Sequence, residues 1–249
     1  MACIFCDNSG PLSREHVFAT WLKQAVDTKG RIVHTYAPHA GHPGKALEWE
    51  AAGFDVVTRK VCTTCNTGWM AELEEQTRPI LTPLIRGKVR HLDVADQTII
   101  ARWAGKTAVT LNAADHATPS RFPNGFVTAL KSGEPPPMTQ VWFGALDFRA
   151  VAGANVRMRI SGPGFQAQLA VMPLLLLGRL LLVAFVRLDP RALPRLVQHT
   201  LQNVLSQIWP PVERVRWPPP AALSESQMAA FPQMFEASTR SLDAPFRLD

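Results

Sequence analysis

The chain has 249 residues, 47% of them hydrophobic and 18% charged, with a formal net charge of +6. This balance excludes a disordered chain and specifies a globular protein with a substantial core, as one large domain or two modest ones. The positive charge suits a polyanionic partner, but it is spread along the chain, and ordinary basic soluble proteins share it.

Met1-Ala2-Cys3 shows no secretory pattern, so a reducing, cytoplasmic setting is expected. The first pair, Cys3-x-x-Cys6, runs into turn residues Asp7 to Pro11. A helix is predicted from about Ser13, capped by its hydroxyl, because Val17, Phe18, Trp21, Leu22 and Val26 recur at helical spacing. Residues 27–53, rich in Gly, His and Pro, read as a long loop or irregular hairpin. Phe54 to Val61 then reads as a strand feeding the second pair, Cys62-x-x-Cys65.

A helix is predicted after Asn66, with Glu72, Glu74 and Glu75 near its favourable N-terminal end. Pro79 and Pro83 are expected to interrupt it, and a boundary near 86–92 would divide a module at 1–88 from a second domain at 89–249. Asp93 can cap a further helix running to Leu111. Residues 115–140 read as loop, followed by strands at Gln140–Ala145, Val156–Ser161, Phe165–Met172 and Leu180–Leu188.

The apolar run from Leu174 to Val186 falls short of the roughly 20 residues a membrane helix needs, and Arg179 sits in its middle. It reads as two buried strands joined by a turn at Gly178-Arg179, and no membrane partner is expected. A helix over Arg191–Ile208, a Pro-rich linker from Trp217 and a short helix over Ser224–Phe235 complete an α+β chain.

The four cysteines occur only as these two pairs. A C-x-x-C turn places two sulfurs on one ion, and two such turns complete a tetrahedral zinc shell with no open position. Disulfides or a redox pair are the competing reading, but redox chemistry needs one pair at a helix start, not two. Structural zinc on Cys3, Cys6, Cys62 and Cys65 is therefore expected. It would gather Glu15, His16 and Asn66 into one neighbourhood, where a carboxylate and an amide could hold a second metal.

Ser13-Arg14-Glu15-His16-Val17 and Val61-Cys62-Thr63-Thr64-Cys65-Asn66 resemble the two ends of the HNH endonuclease motif in its zinc-knuckle form. The string from Cys65 to Glu74 is also similar to a subgroup of bacterial HNH-like proteins with an extra C-terminal domain. The resemblance covers roughly residues 1–75 and implies a ββα-metal, treble-clef-like zinc module. By resemblance, His16 takes the place of the general base, and Glu15 and Asn66 those of catalytic-metal ligands. The implied activity is phosphodiester hydrolysis in nucleic acid, most readily DNA, with Mg2+, Mn2+, Ni2+ or Zn2+ as the working ion.

The chemistry is coherent without the family. A hard cation with open positions neutralises the scissile phosphate, and a near-neutral imidazole can take a proton from water. The chain departs from the pattern at the central Asn, since no Asn occurs between Asn8 and Asn66. Asp55, His34, His39 and His42 are the candidates for its place, and nothing selects among them. Without it, the runner-up reading is a non-catalytic zinc-finger module that binds nucleic acid or protein.

Arg14, Arg59 and Lys60 flank the motif and could meet phosphates. Trp69 is expected to pack in the core of the small module. Gly105-Lys106-Thr107 has the ending of a phosphate-binding loop, but Ile100 stands where the first Gly must be, and the segment reads as helix interior. No nucleotide cofactor is expected.

Overall fold

The structure, a computed structural model, describes residues 2–26, 32–36, 47–51, 56–114, 122–162, 165–189 and 201–230. Strand β1 (Leu12–His16) is followed by the short helix α1 (Trp21–Val26), and then by β2 (Ile32–Tyr36) and β3 (Leu47–Ala51), which pair antiparallel. Strand β4 (Val57–Cys62) pairs antiparallel with β1. The chain then turns directly into a helical run, with a single turn α2 (Thr63–Cys65), a π-type turn at Asn66–Met70 kinked at Gly68, and the long helix α3 (Ala71–Ile85).

The helix expected at Ser13 is a strand. Ladder pairing with β4 takes residues 12–16, and the helical spacing of apolar residues belongs to the turn and α1 that follow. Within 27–53, read as a long loop or irregular hairpin, β2 and β3 pair antiparallel in unbroken register, with His34 opposite Trp49. His39, His42 and Asp55 lie outside the described residues.

Helix α3 runs through Pro79 and Pro83 instead of breaking at them. Pro83 cannot donate to the carbonyl of Pro79, and the guanidinium of Arg90 takes that carbonyl at 3.0 Å. The opposite face is held down by Leu73, Ile80, Leu81, Leu84 and Ile85, all buried. The helix ends where Gly87 enters the left-handed region at φ 72°, with Gly87 N donating to Leu84 O and Lys88 N to Pro83 O.

Strand β5 (Arg90–Leu92) leads to α4 (Val94–Ala114), and Asp93 caps it by accepting from Asp96 N at 2.8 Å, as expected. Helix α5 (Asn124–Ser132) was read as loop, because Pro123 and Gly133, its two ends, gave the segment turn-like composition. Strands β6 (Thr139–Gly162) and β7 (Phe165–Arg187) form one long antiparallel pair, where four separate strands were expected. Gly178, at φ 64°, is no turn between strands: it pairs with Ala150 inside β7, beside a bulge where β6 carries residues 146–149 against the single Arg179 of β7.

Side-chain alternation records that bulge. Leu175 and Leu177 face the same core as Leu180, Leu182 and Ala184, so the inward parity switches from odd to even across Gly178-Arg179. Leu181, Val183 and Phe185 face a second core on the other side of the sheet. Burial on both faces explains a run apolar enough to resemble a membrane segment. Among the described residues, no helix is long and apolar enough to cross a membrane.

Strand β8 (Ser206–Trp209) pairs with β6 and replaces the end of the helix expected over Arg191–Ile208, the first part of which lies outside the described residues. Strand β9 (Val215–Trp217) pairs with β5, and β10 (Ala222–Leu223) lies parallel to β6. Residues 225–230 are helical, within the final helix expected from Ser224.

The chain is thus mixed α+β. Its cores run across residue 88: Phe5, Val61 and Met70 pack with Val109 of α4, Phe126 of α5 and Val186 of β7.

Candidate functional site

The backbone brings the two cysteine turns together before any metal is considered. Ile4 N donates to Lys60 O and Thr63 N to Pro11 O, tying each turn to the opposite strand. One sulfur from each of Cys3, Cys6, Cys62 and Cys65 lies within 4.8 Å of all the others. Zinc–sulfur bonds of about 2.3 Å in a tetrahedron set the sulfurs about 3.8 Å apart, and Cys6 and Cys62 stand 3.6 Å apart. All four are free thiols, and that separation is far beyond a disulfide bond of about 2.05 Å.

Amides already point at the sulfurs. Cys62 N donates to Cys3 Sγ at 3.3 Å and Cys65 N to Cys62 Sγ at 3.4 Å. The Cys65 amide draws the Cys62 thiol down to about 7, whereas burial pushes the Cys65 and Cys6 thiols up. A bound cation would hold all four as thiolates and end that conflict. The cluster could hold a structural metal ion, and its sulfur spacing suits zinc.

Strand β1 and the helical run then converge on one pocket. Asn66 Nδ2 donates to Ser13 Oγ at 3.0 Å, and Ser13 Oγ donates to Val61 O at 3.0 Å. Ser13 is therefore a link between strands and helix, not a cap. The Asn66 amide nitrogen is thus turned to β1, and the helical run begins at Thr63 with Cys62 as its N-cap. A pocket of about 390 Å3 is lined by Glu15, His16 and Asn66, and also by Arg14, Glu74 and Arg78. Arg59 and Lys60 lie on β4 and do not line it.

Two of the carboxylates that line this pocket, Glu15 and Glu74, belong to an ion cluster that extends beyond the motif. Lys106, from the middle of α4, is 1% exposed and its ammonium contacts Glu74 at 2.6 Å and Glu15 at 3.5 Å. The Glu74 carboxylate also accepts from Trp21 Nε1 at 2.8 Å and from Trp103 Nε1 at 3.0 Å. Burial pushes the Glu15 carboxyl above its ordinary range, against the pull of Lys106. Burial alone would lower Lys106, but the carboxylates of Glu74 and Glu15 outweigh it and raise the ammonium instead. Charge pairing and indole donors together satisfy groups that would be costly to bury alone.

Trp69 packs edge-on against Phe5, with ring centroids 5.2 Å apart, in the packing role expected of it. Lys106 lies inside α4, so the Gly105-Lys106-Thr107 string is helix interior as anticipated. Its actual partners were missed. The available signal was a lone lysine within an apolar stretch of α4, which calls for a buried counter-charge.

Comparison with protein-family models, with curated proteins and with solved structures finds no match to this chain.

Proposed function

We propose that this protein is a metal-dependent HNH-type nuclease, a ββα-metal module that hydrolyses phosphodiester bonds in nucleic acid, most readily DNA. The observation that carries this reading is the shared pocket of Glu15, His16 and Asn66, reached from the end of β1 and the start of the helical run beside the cysteine cluster. Support also comes from the antiparallel pair β1–β4, with β4 running straight into the helical run, although α1, β2 and β3 are inserted between the two strands.

In this reading His16, half-buried at the pocket wall, takes a proton from the attacking water. Glu15 and Asn66 would hold a divalent ion, which would neutralise charge on the scissile phosphate. The donor set suits a hard cation, with a carboxylate oxygen and an amide oxygen, the Asn66 amide nitrogen being turned to Ser13. Arg14 and Arg78 on the rim would meet the flanking phosphates.

One observation favours the non-catalytic alternative. Glu15 already has a cation beside it in Lys106, and its side chain is only 10% exposed. A non-catalytic zinc module would keep this pair as structural glue.

Incubation with supercoiled and linear DNA across Mg2+, Mn2+ and Ni2+ separates the two. The nuclease reading expects cutting that falls about 10²- to 10⁴-fold in His16→Ala, the range for loss of a general base. If wild type does not cut, or His16→Ala cuts equally, the non-catalytic reading stands.

A further inference from the structure

A second cleft, of about 350 Å3, adjoins the first, and Gln24 lines both. Its charged lining is Arg86, Lys88 and Arg149, with no carboxylate among the described residues. Two of these cations have an ordinary explanation. Arg86 and Lys88 follow the end of α3, where positive charge complements the helix dipole. Arg149 is not explained by the helix end: it comes from β6, far along the chain, and adds like charge to the same cleft.

The fold fixes the backbone that carries these residues, with Lys88 N donating to Pro83 O at 2.8 Å. Arg86 is anchored by donating to Gln24 O at 3.2 Å. The segment of β6 carrying Arg149 is pinned by Arg179, which donates to Asp147 O at 2.9 Å. Arg179 stands opposite the β6 bulge and follows Gly178, where a Cβ would lie 2.6 Å from Ile85 O. That close approach seats the β6 bulge beside the end of α3. Three full positive charges outweigh the roughly half negative charge of a helix C-terminus.

Along α3, Arg78 on the rim of the first pocket and Arg86 in the second are eight residues apart, about 12 Å at 1.5 Å per residue. At about 3.4 Å of axis per phosphate on one strand, that spans three to four nucleotides. We propose that Arg86, Lys88 and Arg149 form an anion site that grips the nucleic-acid backbone several phosphates away from the Glu15/His16/Asn66 pocket. This rests on the nucleic-acid reading above. It assigns the C-terminal region, through Arg149, a direct part in holding substrate.

The test is fluorescence anisotropy with a fluorescein-labelled 20-base-pair DNA duplex, titrated at several salt concentrations. All proteins carry His16→Ala, so cleavage does not intrude and the result stands whether or not the protein is a nuclease. Arg86→Ala/Lys88→Ala/Arg149→Ala is expected to bind at least about 10-fold more weakly at 0.1 M salt. Its slope of log K against log salt should shrink by about 2.7, or 0.9 for each lost phosphate contact. Arg149→Ala alone should lose about 0.9 of slope, and Arg149→Lys should restore it. Unchanged affinity and slope in the triple variant would overturn the proposal. So would the loss appearing only in Arg59→Ala/Lys60→Ala, on β4.

Discussion

The cysteine cluster and the Glu15–Lys106–Glu74 cluster both tie the first strands to the helices, by opposite means. The first gathers four soft sulfur ligands that an added cation would hold as thiolates. The second carries its cation built in, as a lysine 1% exposed between two carboxylates. The metal cluster uses ligands no later than Cys65, whereas the ion cluster needs Trp103 and Lys106 from α4. With a metal bound, the N-terminal segment would have a staple of its own, yet it borrows the charge that pairs its buried carboxylates.

That contrast can be broken from either side. The largest effect is expected from metal removal, because structural zinc in small modules contributes about 10–16 kcal/mol of binding free energy at neutral pH. Chelation, or Cys62→Ser, should release zinc and unravel the strand–helix junction, read by metal analysis and hydrogen exchange of residues 57–70. A fold that survives unchanged would reduce the cysteines to ordinary buried thiols.

Next in size is Lys106→Met, which strands two carboxylates without their partner and should cost about 3–5 kcal/mol by chemical denaturation. Adding Glu15→Gln and Glu74→Gln should recover much of that loss, since burying neutral groups costs less than burying unpaired charge. No recovery would mean that Lys106 acts through packing alone. Trp103→Phe keeps the ring packing but removes one indole donor from Glu74. A loss of about 1.5–3 kcal/mol is expected, the range for a hydrogen bond to a charged group.

The smallest expected stability effect sharpens the comparison most. Asn66→Ala deletes the bond to Ser13 and should cost about 1 kcal/mol. If Asn66 also holds a catalytic ion, DNA cleavage should fall far more steeply than stability. Parallel losses would leave Asn66 a structural link only.

What could be read from the sequence follows the same division. Residues whose chemistry depends on short spacing, such as the cysteine pairs or the Asp93 cap, were legible because local geometry alone brings their atoms together. The meeting of Glu15, His16 and Asn66 in one pocket was anticipated from the knuckles that gather them. Lys106 was not, because its partners Glu15 and Glu74 lie in other elements and only the tertiary fold selects them. The β1 strand was misread because apolar spacing in the following turn and helix outweighed five residues of ladder pairing. Helix α3 was read as broken because the compensating donor, Arg90, lies beyond its end.

The pairing of β5 with β9 bears on the order in which the molecule can assemble. Gln97 bonds both ways with the backbone of Val212, 115 residues later, and the fully buried Trp217 lies just beyond. At about 5–20 residues per second, a ribosome needs roughly 6–23 s to make the intervening chain. Through that interval β5 lacks its partner strand, and the core awaits Trp217, even if a metal ion were already held by the first knuckles. We expect nascent chains halted before residue 209 to show protease-sensitive β5 and α4 beside a metal-protected N-terminus. Protection of α4 in such chains would show that the late strand merely decorates a finished core.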